Sequence, residues 1–269
     1  MRFEMMKKLG FGFALCLLFS ACADTRPTKP TPQAAQQILK LRGYEFNSKA
    51  FHEAIRDADQ TAVTAFLDGG INVNEQVEPD GETALILAAS RGDLNIVKQL
   101  LARNADPNIN DKGNFTALFR ALAGRHNEVA ELILAQPKLD LNARGLNKVT
   151  ALITYASRDS EDIVKDLINR GADVTLQDGD GDTALHLTVQ NGNVNLTKML
   201  LAKKAPVNVK NKVGGTPLMW AASTGNDELA QLLLENGADP SIKDEDGTTA
   251  LGWATKNKRD KVIAVLKGK

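Results

Sequence analysis

Residues 82–108 read "ETALILAASRGDLNIVKQLLARNADPN". Two short apolar stretches are separated by a glycine. In the second, Ile96, Val97, Leu100 and Leu101 fall three and four apart, the spacing of one buried face of a helix. Thr83 precedes the first stretch, where a hydroxyl can cap a helix start. Such a unit cannot bury its apolar faces alone, so its stability requires neighbours of the same kind.

The chain supplies them. "FTALFRALAGRHNEVAELILAQPKLDLN" begins at Phe115, "VTALITYASRDSEDIVKDLINRGADVT" at Val149 and "DTALHLTVQNGNVNLTKMLLAKKAPVN" at Asp182. "GTPLMWAASTGNDELAQLLLENGADPS" begins at Gly215, and a shortened "TTALGWATKNKRDKVIAVLKGK" at Thr248. The marker threonines are Thr83, Thr116, Thr150, Thr183, Thr216 and Thr249, spaced 33, 34, 33, 33 and 33 residues apart.

This period and the T-[AP]-L-H-x-A-A core resemble the ankyrin repeat over about residues 48–269. The resemblance implies an all-α ankyrin-repeat solenoid of helix-turn-helix units joined by β-hairpin fingers, with about seven repeats including caps. "KAFHEAIRDADQTAVTAFLDGGINVN" from Lys49 is a weaker copy, without the threonine or the inter-helix glycine. The expected organisation is a repeat domain over residues 34–269, with an N-terminal cap at about 34–74 and a C-terminal cap at about 244–269.

Each recurring letter has a physical reason. Threonine caps the first helix, and Pro217 suits a first helical position that needs no N–H partner. Alanine at the sixth and seventh places lets first helices pack closely. Gly171 and Gly237 fit helix ends that require positive φ. The interval from Thr116 to Thr150 is irregular: "LAQPKLDLN" carries an extra residue and Pro137, while "AGRH" and "SRDS" replace the usual inter-helix turn. A local change in curvature is expected there.

Chemistry is sparse. Asp178, Asp180 and Asp182 in "LQDGDGDTALHL" alternate as in a calcium loop, but the sixth and twelfth places hold Thr183 and Val189, not Gly and Glu. Sister fingers at the same place point to a turn instead, and no metal site is expected. His52 and His186 stand at the fourth place of the phrase and His126 at the inter-helix turn. The family uses histidines at these places structurally. With no phosphate-cradling loop and no unassigned histidine, no catalytic group and no cofactor is expected.

What remains is surface. The resemblance places the fifth phrase position and the finger residue before each threonine on a concave groove. The fifth column runs Glu53, Leu87, Arg120, Thr154, Leu187, Trp220, Trp253, so both tryptophans occupy it in adjacent copies. Trp and Arg are enriched at binding hot spots. The finger column places Phe115 and Val149 beside Arg120. Candidate protein-binding residues are therefore Phe115, Arg120, Val149, Leu187, Trp220 and Trp253. Asp180 and Asp182 join them on an acidic finger suited to steering a basic edge of a partner.

The chain's beginning has a separate role. Arg2, Lys7 and Lys8 precede an apolar run from Leu9 to Phe19, too short to span a bilayer, and "FSACAD" follows. Residues 1–23 read as a secretory signal. Ala21 and Ala23 allow ordinary cleavage, whereas "FSAC" resembles a lipobox, with Phe19 where Leu is usual, that would lipidate Cys22; both readings stand open. Cys16 lies within the signal and Cys22 is the only other cysteine, so the mature fold has no disulfide. Pro- and Thr-rich residues 24–33 read as a tether spanning roughly 30 Å.

Lys plus Arg and Asp plus Glu number 33 each, which argues against binding to nucleic acid. Removing residues 1–21 takes away three basic residues and one acidic, leaving 30 against 32. The expectation is a monomeric, non-catalytic module of the bacterial periplasm, soluble or lipid-anchored through Cys22, that binds another exported protein. The preferred partner is a cell-wall peptidase, because the layout also resembles the self-protection ankyrins of predatory bacteria. The alternative is a scaffold supporting an oxidative-stress enzyme such as catalase.

Overall fold

The computed structural model describes residues 31–268. The signal segment, Cys22 and the tether up to residue 30 lie outside the described residues. Thr31 caps Ala34 N–H at 3.3 Å and Pro32 occupies the first turn, so α1 (Pro32–Leu41) begins two residues inside the expected tether. Ala35 and Leu39 of this helix are buried.

Seven helix pairs follow: α2 (Ser48–Arg56) with α3 (Gln60–Asp68), α4 (Ala84–Arg91) with α5 (Leu94–Ala102), α6 (Ala117–Ala123) with α7 (Asn127–Leu134), and α8 (Ala151–Ser157) with α9 (Glu161–Asn169). Then come α10 (Ala184–Gln190) with α11 (Val194–Ala202), α12 (Pro217–Thr224) with α13 (Asp227–Glu235), and α14 (Ala250–Lys256) with α15 (Asp260–Lys267). No extended strand occurs among the described residues. The fingers are tight turns, and isolated antiparallel bridges join Val77 to Glu82 and Gln177 to Thr183.

The marker threonines cap as their chemistry requires. The hydroxyls of Thr83, Thr150 and Thr183 accept from the N–H three residues on, at 3.3, 3.2 and 3.4 Å. Thr216 is the exception: its side chain makes no cap bond, and Pro217 in the first turn sets the helix start. First helices form one row and second helices another, and the copies share one continuous apolar core.

Histidine joins copies across the stack. His52 Nε2 lies 3.2 Å from the Glu82 carbonyl, His126 Nε2 3.1 Å from that of Ser90, and His186 Nε2 3.3 Å from that of Gly215. Behind the second helices runs a ladder in which Asn74, Asn108, Asn142 and Asn208 accept the N–H of Asp106, Asp140, Asp173 and Asp239. It is interrupted where Thr175 replaces asparagine, opposite Pro206, which has no N–H to give.

Fingers also join, backbone to backbone. Lys112 N–H donates to Asp80 O at 2.9 Å, Gly179 to Asn147 O at 2.5 Å, Lys212 to Asp180 O at 2.8 Å and Glu245 to Val213 O at 3.2 Å. Glycine permits this approach: at Gly181, with φ +82°, a Cβ would sit 2.9 Å from Asn211 Cα.

The junction between α6/α7 and α8/α9 departs from this pattern, at the interval whose sequence is irregular. Neighbouring first helices pack closely elsewhere along the stack, but α6 and α8 do not, nor do α7 and α9. No finger-to-finger backbone bond links Asn110–Phe115 to Gly145–Val149 among the described residues. Two residue choices account for this. Tyr155 fills the sixth phrase position, held by Ala88, Ala121, Ala221 and Ala254 in four other copies and by Thr188 in the next, and its ring wedges the helices apart. Asn114 and Leu146 stand where other fingers use Gly181 or Gly179, so the two turns cannot touch.

Side chains bridge the gap. Arg158 Nη2 donates to Leu122 O at 3.2 Å, and Arg170 donates to Leu134 O at 2.5 Å and to Gln136 O at 3.1 Å. The Phe119 ring lies against Gly145. The Tyr155 hydroxyl is the one buried side-chain polar atom without a partner among the described residues, a cost of about 1–3 kcal/mol.

Gly181→Ala is expected to destabilise the fold by more than about 1 kcal/mol, and by more than Gly237→Ala, since both glycines have positive φ but open space surrounds Gly237. Urea denaturation of the two variants checks this. Burial holds the His52 and His186 imidazoles below their ordinary pKa. The unfolded chain therefore takes up protons first, so stability is complete above about pH 6.5 and falls as pH drops through it. His186→Gln should flatten that fall in thermal melts between pH 7.5 and 5.5.

Candidate protein-binding site

The fifth column and the fingers bring some of the expected residues together. Trp220 from α12 and Trp253 from α14 line one cleft of about 240 Å³, completed by Val213, Gly215, Met219, Ser223 and Asp244. Successive copies put the two indoles side by side because both stand at the same place of the phrase. Val213 comes from the finger tip and is 61 % exposed. A large exposed apolar side chain beside an aromatic slot is unusual on a polar surface and suits an apolar anchor from a partner.

The two tryptophans differ in their bonding. Trp253 Nε1 donates to Asp244 Oδ2 at 2.8 Å, and Asp244 Oδ1 accepts the Thr248 N–H at 2.7 Å. Lys256 Nζ lies 4.8 Å from the Trp253 ring centroid. Trp253 is thus a fixed wall tied to its own finger. The Trp220 indole has no hydrogen bond among the described residues.

Arg120, expected as a contact residue, is committed inside the fold. Its guanidinium makes a two-pronged bond to Asp111, with Nε 2.9 Å from Oδ2, and the Asp111 side chain is wholly buried. Asp111 Oδ1 accepts the Phe115 N–H at 2.9 Å, and the guanidinium carbon lies 4.6 Å from the Phe115 ring centroid. The buried carboxylate needs that cation, so Arg120 is held in place to neutralise it. Phe115, Val149 and Leu187 are half-buried against the core.

The acidic finger is likewise internally bonded. Asp178 Oδ1 accepts the N–H groups of Asp180 and Asp182, both at 2.9 Å. Asp180 accepts from Asn147 at 2.9 Å and Asp182 from Asn211 at 3.0 Å. These carboxylates orient the finger and bind it to both neighbours, the work a turn sequence predicts.

Two exposed apolar finger residues escaped the sequence reading: Val213, and Leu146 at 74 % exposure. The signal was available, since both stand among Asp, Gly and Lys in sister fingers, where nothing packs on them.

A family model for ankyrin repeats matches three times, over residues 51–145, 152–244 and 189–269. The chain belongs to the ankyrin-repeat family. Neurogenic locus notch homolog protein 1 of Xenopus laevis is 34 % identical over 143 residues, 53 % of this ankyrin chain and 6 % of that protein. The Homo sapiens protein of the same name is 35 % identical over 133 residues, 49 % of the chain and 5 % of that protein. The chain therefore spans a small part of these relatives.

Among solved structures, an ankyrin repeat domain from Acinetobacter baumannii AYE aligns with TM-score 0.60 and 26 % identity, over 68 % of this chain and 96 % of that one. A chain of the complex of the Bd0816 predatory endopeptidase from Bdellovibrio bacteriovorus with immunity protein Bd3460 aligns with TM-score 0.58 and 31 % identity, over 70 % and 98 %. Ankyrin repeats are protein-binding modules, and the Trp220–Trp253 slot, walled by Val213 and Met219, is a largely apolar cleft on this one.

Arg120→Ala should cost about 3 kcal/mol of stability, the lower end for stripping a buried carboxylate of its partner because the guanidinium is itself 32 % exposed. Trp220→Phe, which removes no hydrogen bond, should stay within about 0.5 kcal/mol. Guanidinium denaturation separates the two.

Proposed function

We propose that this ankyrin protein is a non-catalytic inhibitor or immunity protein of an exported peptidoglycan peptidase, acting in the bacterial periplasm. The reading is supported by the 31 % identity to a chain of the Bd0816–Bd3460 complex over 98 % of that chain. The export signal read at residues 1–23 supports a shared compartment with cell-wall hydrolases. Ankyrin copies offer a rigid, preformed face, which loses little entropy on docking. Inhibition then needs only coverage of the peptidase's active-site mouth.

The Trp220–Trp253 slot supplies the anchor. An apolar side chain from the peptidase enters between the indoles, against Met219, while Val213 covers it from the finger tip. The acidic groups of the neighbouring fingers Asp178–Asp182 and Asp244–Asp246 favour a partner with a basic edge around that anchor.

The purified protein should abolish peptidoglycan digestion by an exported endopeptidase of the same cell. Trp220→Ala together with Trp253→Ala should weaken that complex by roughly 30-fold or more, as expected for losing an anchor of about 2 kcal/mol. Calorimetry measures the loss, with a thermal melt to verify folding. Full digestion in the presence of excess protein would overturn the inhibitor reading, and a rise in catalase activity on mixing would replace it with the scaffold.

A further inference from the structure

The wedge at the third junction leaves a cleft of about 370 Å³ between α7 and the α8–α9 turn. That volume lies within the range of small-molecule sites. Its floor is Tyr155, 3 % exposed, whose hydroxyl finds no partner. Thr188 occupies the same phrase position in the next copy, and its hydroxyl donates to Leu185 O and accepts from Thr197, both at 3.2 Å. A short hydroxyl at this position is satisfied within the fold, whereas the Tyr155 hydroxyl, at the far end of its ring, is left buried without a partner in the floor beneath the cleft.

The rest of the lining is rich in donors. Arg158 gives one N–H to Leu122 O, and its guanidinium carbon lies 6.0 Å from the Tyr155 ring centroid. Arg125 has no ion-pair or hydrogen-bond partner for its side chain among the described residues, and Ser160 stands at the start of α9 without capping it. Opposite them Glu131 of α7 is the one carboxylate of the lining, and Ile163 gives an apolar wall. Two guanidinium groups, a phenol and a serine hydroxyl call for a carboxylate. Glu131 disfavours a dianion such as phosphate and calls for a cationic group on the same ligand.

We propose that this cleft binds a small zwitterion, a free α-amino acid or a dipeptide. Its carboxylate is received by Tyr155, Arg125 and Arg158, its ammonium by Glu131, and its side chain by Ile163. The site lies on the turn side of the stack, away from the fingers and the Trp220–Trp253 slot, and does not rest on the peptidase reading.

Calorimetric titration of the full chain with L-alanine, L-leucine, L-alanyl-L-alanine, acetate and inorganic phosphate tests it. Saturable millimolar or tighter binding of at least one of the three zwitterions is expected, with acetate weaker and phosphate weakest. Tyr155→Phe removes only the orphaned hydroxyl, so its melting temperature should equal or exceed that of the parent while zwitterion affinity falls about tenfold. Glu131→Gln should weaken the zwitterions and leave acetate unchanged or tighter, and Arg125→Gln should weaken all carboxylates. No response to any zwitterion at millimolar concentration, equal affinity in Tyr155→Phe, or tighter binding of phosphate would each overturn the proposal.

Discussion

Everything in this molecule depends on how near one copy's backbone can come to the next. A single helix pair buries one side only, so the free energy of the fold resides largely in the contacts between copies. Those contacts are short where Ala88, Ala121, Ala221 and Ala254 face a neighbouring first helix, and where Gly181 and Gly214 let the next finger touch the turn. With a Cβ at Gly214 the nearest atom would be Glu245 N at 2.8 Å. Small side chains thus set the pitch of the stack, and histidine, asparagine and threonine bond across distances that the small residues have established.

Against that rule the third junction stands out because several independent links fail together. First helices, second helices and finger backbones all separate there, and Asn110 turns to its own Asn114 at 3.2 Å instead of reaching the next finger as Gln76 and Gln177 do. One large residue at an alanine place and one missing finger glycine suffice to produce this. Arg158 and Arg170 then hold the halves through carbonyl bonds, which tolerate separation better than interdigitated alanines do. The arginines, the Asn142–Asp173 bond of the ladder and the Phe119 ring against Gly145 join the first three copies to the last four.

Much of this was legible in the amino-acid order. The threonine period gave the copies, and turn chemistry explained why Asp178, Asp180 and Asp182 bond their own finger. The irregular Thr116–Thr150 interval coincides with the junction at which neighbouring helices do not pack closely. Its cause was less visible: attention falls on Pro137 and the extra residue, whereas Tyr155 at an alanine place separates the helices. Arg120 shows the opposite limit. Its column marked it as a contact residue, but the buried Asp111 that claims its guanidinium lies nine residues earlier, and spacing does not reveal such a pairing. Thr31 and Pro32 are a helix start within a composition that reads as linker, because capping is local and composition is an average.

The face left for recognition is shaped by these internal commitments. With Arg120 bound to Asp111, Asp180 and Asp182 bound to asparagines, and Trp253 bound to Asp244, most polar groups along the column are fixed before any partner arrives. Their orientation costs nothing further on binding. Shape then matters most, and the apolar cleft on this face is the slot where Trp220 and Val213 stand with Trp253, which Asp244 holds. An apolar, aromatic slot of this kind favours apolar side chains over charged ones, since a charge placed there would lose its water. This arrangement favours tight recognition of one apolar anchor over readout of an extended polar surface.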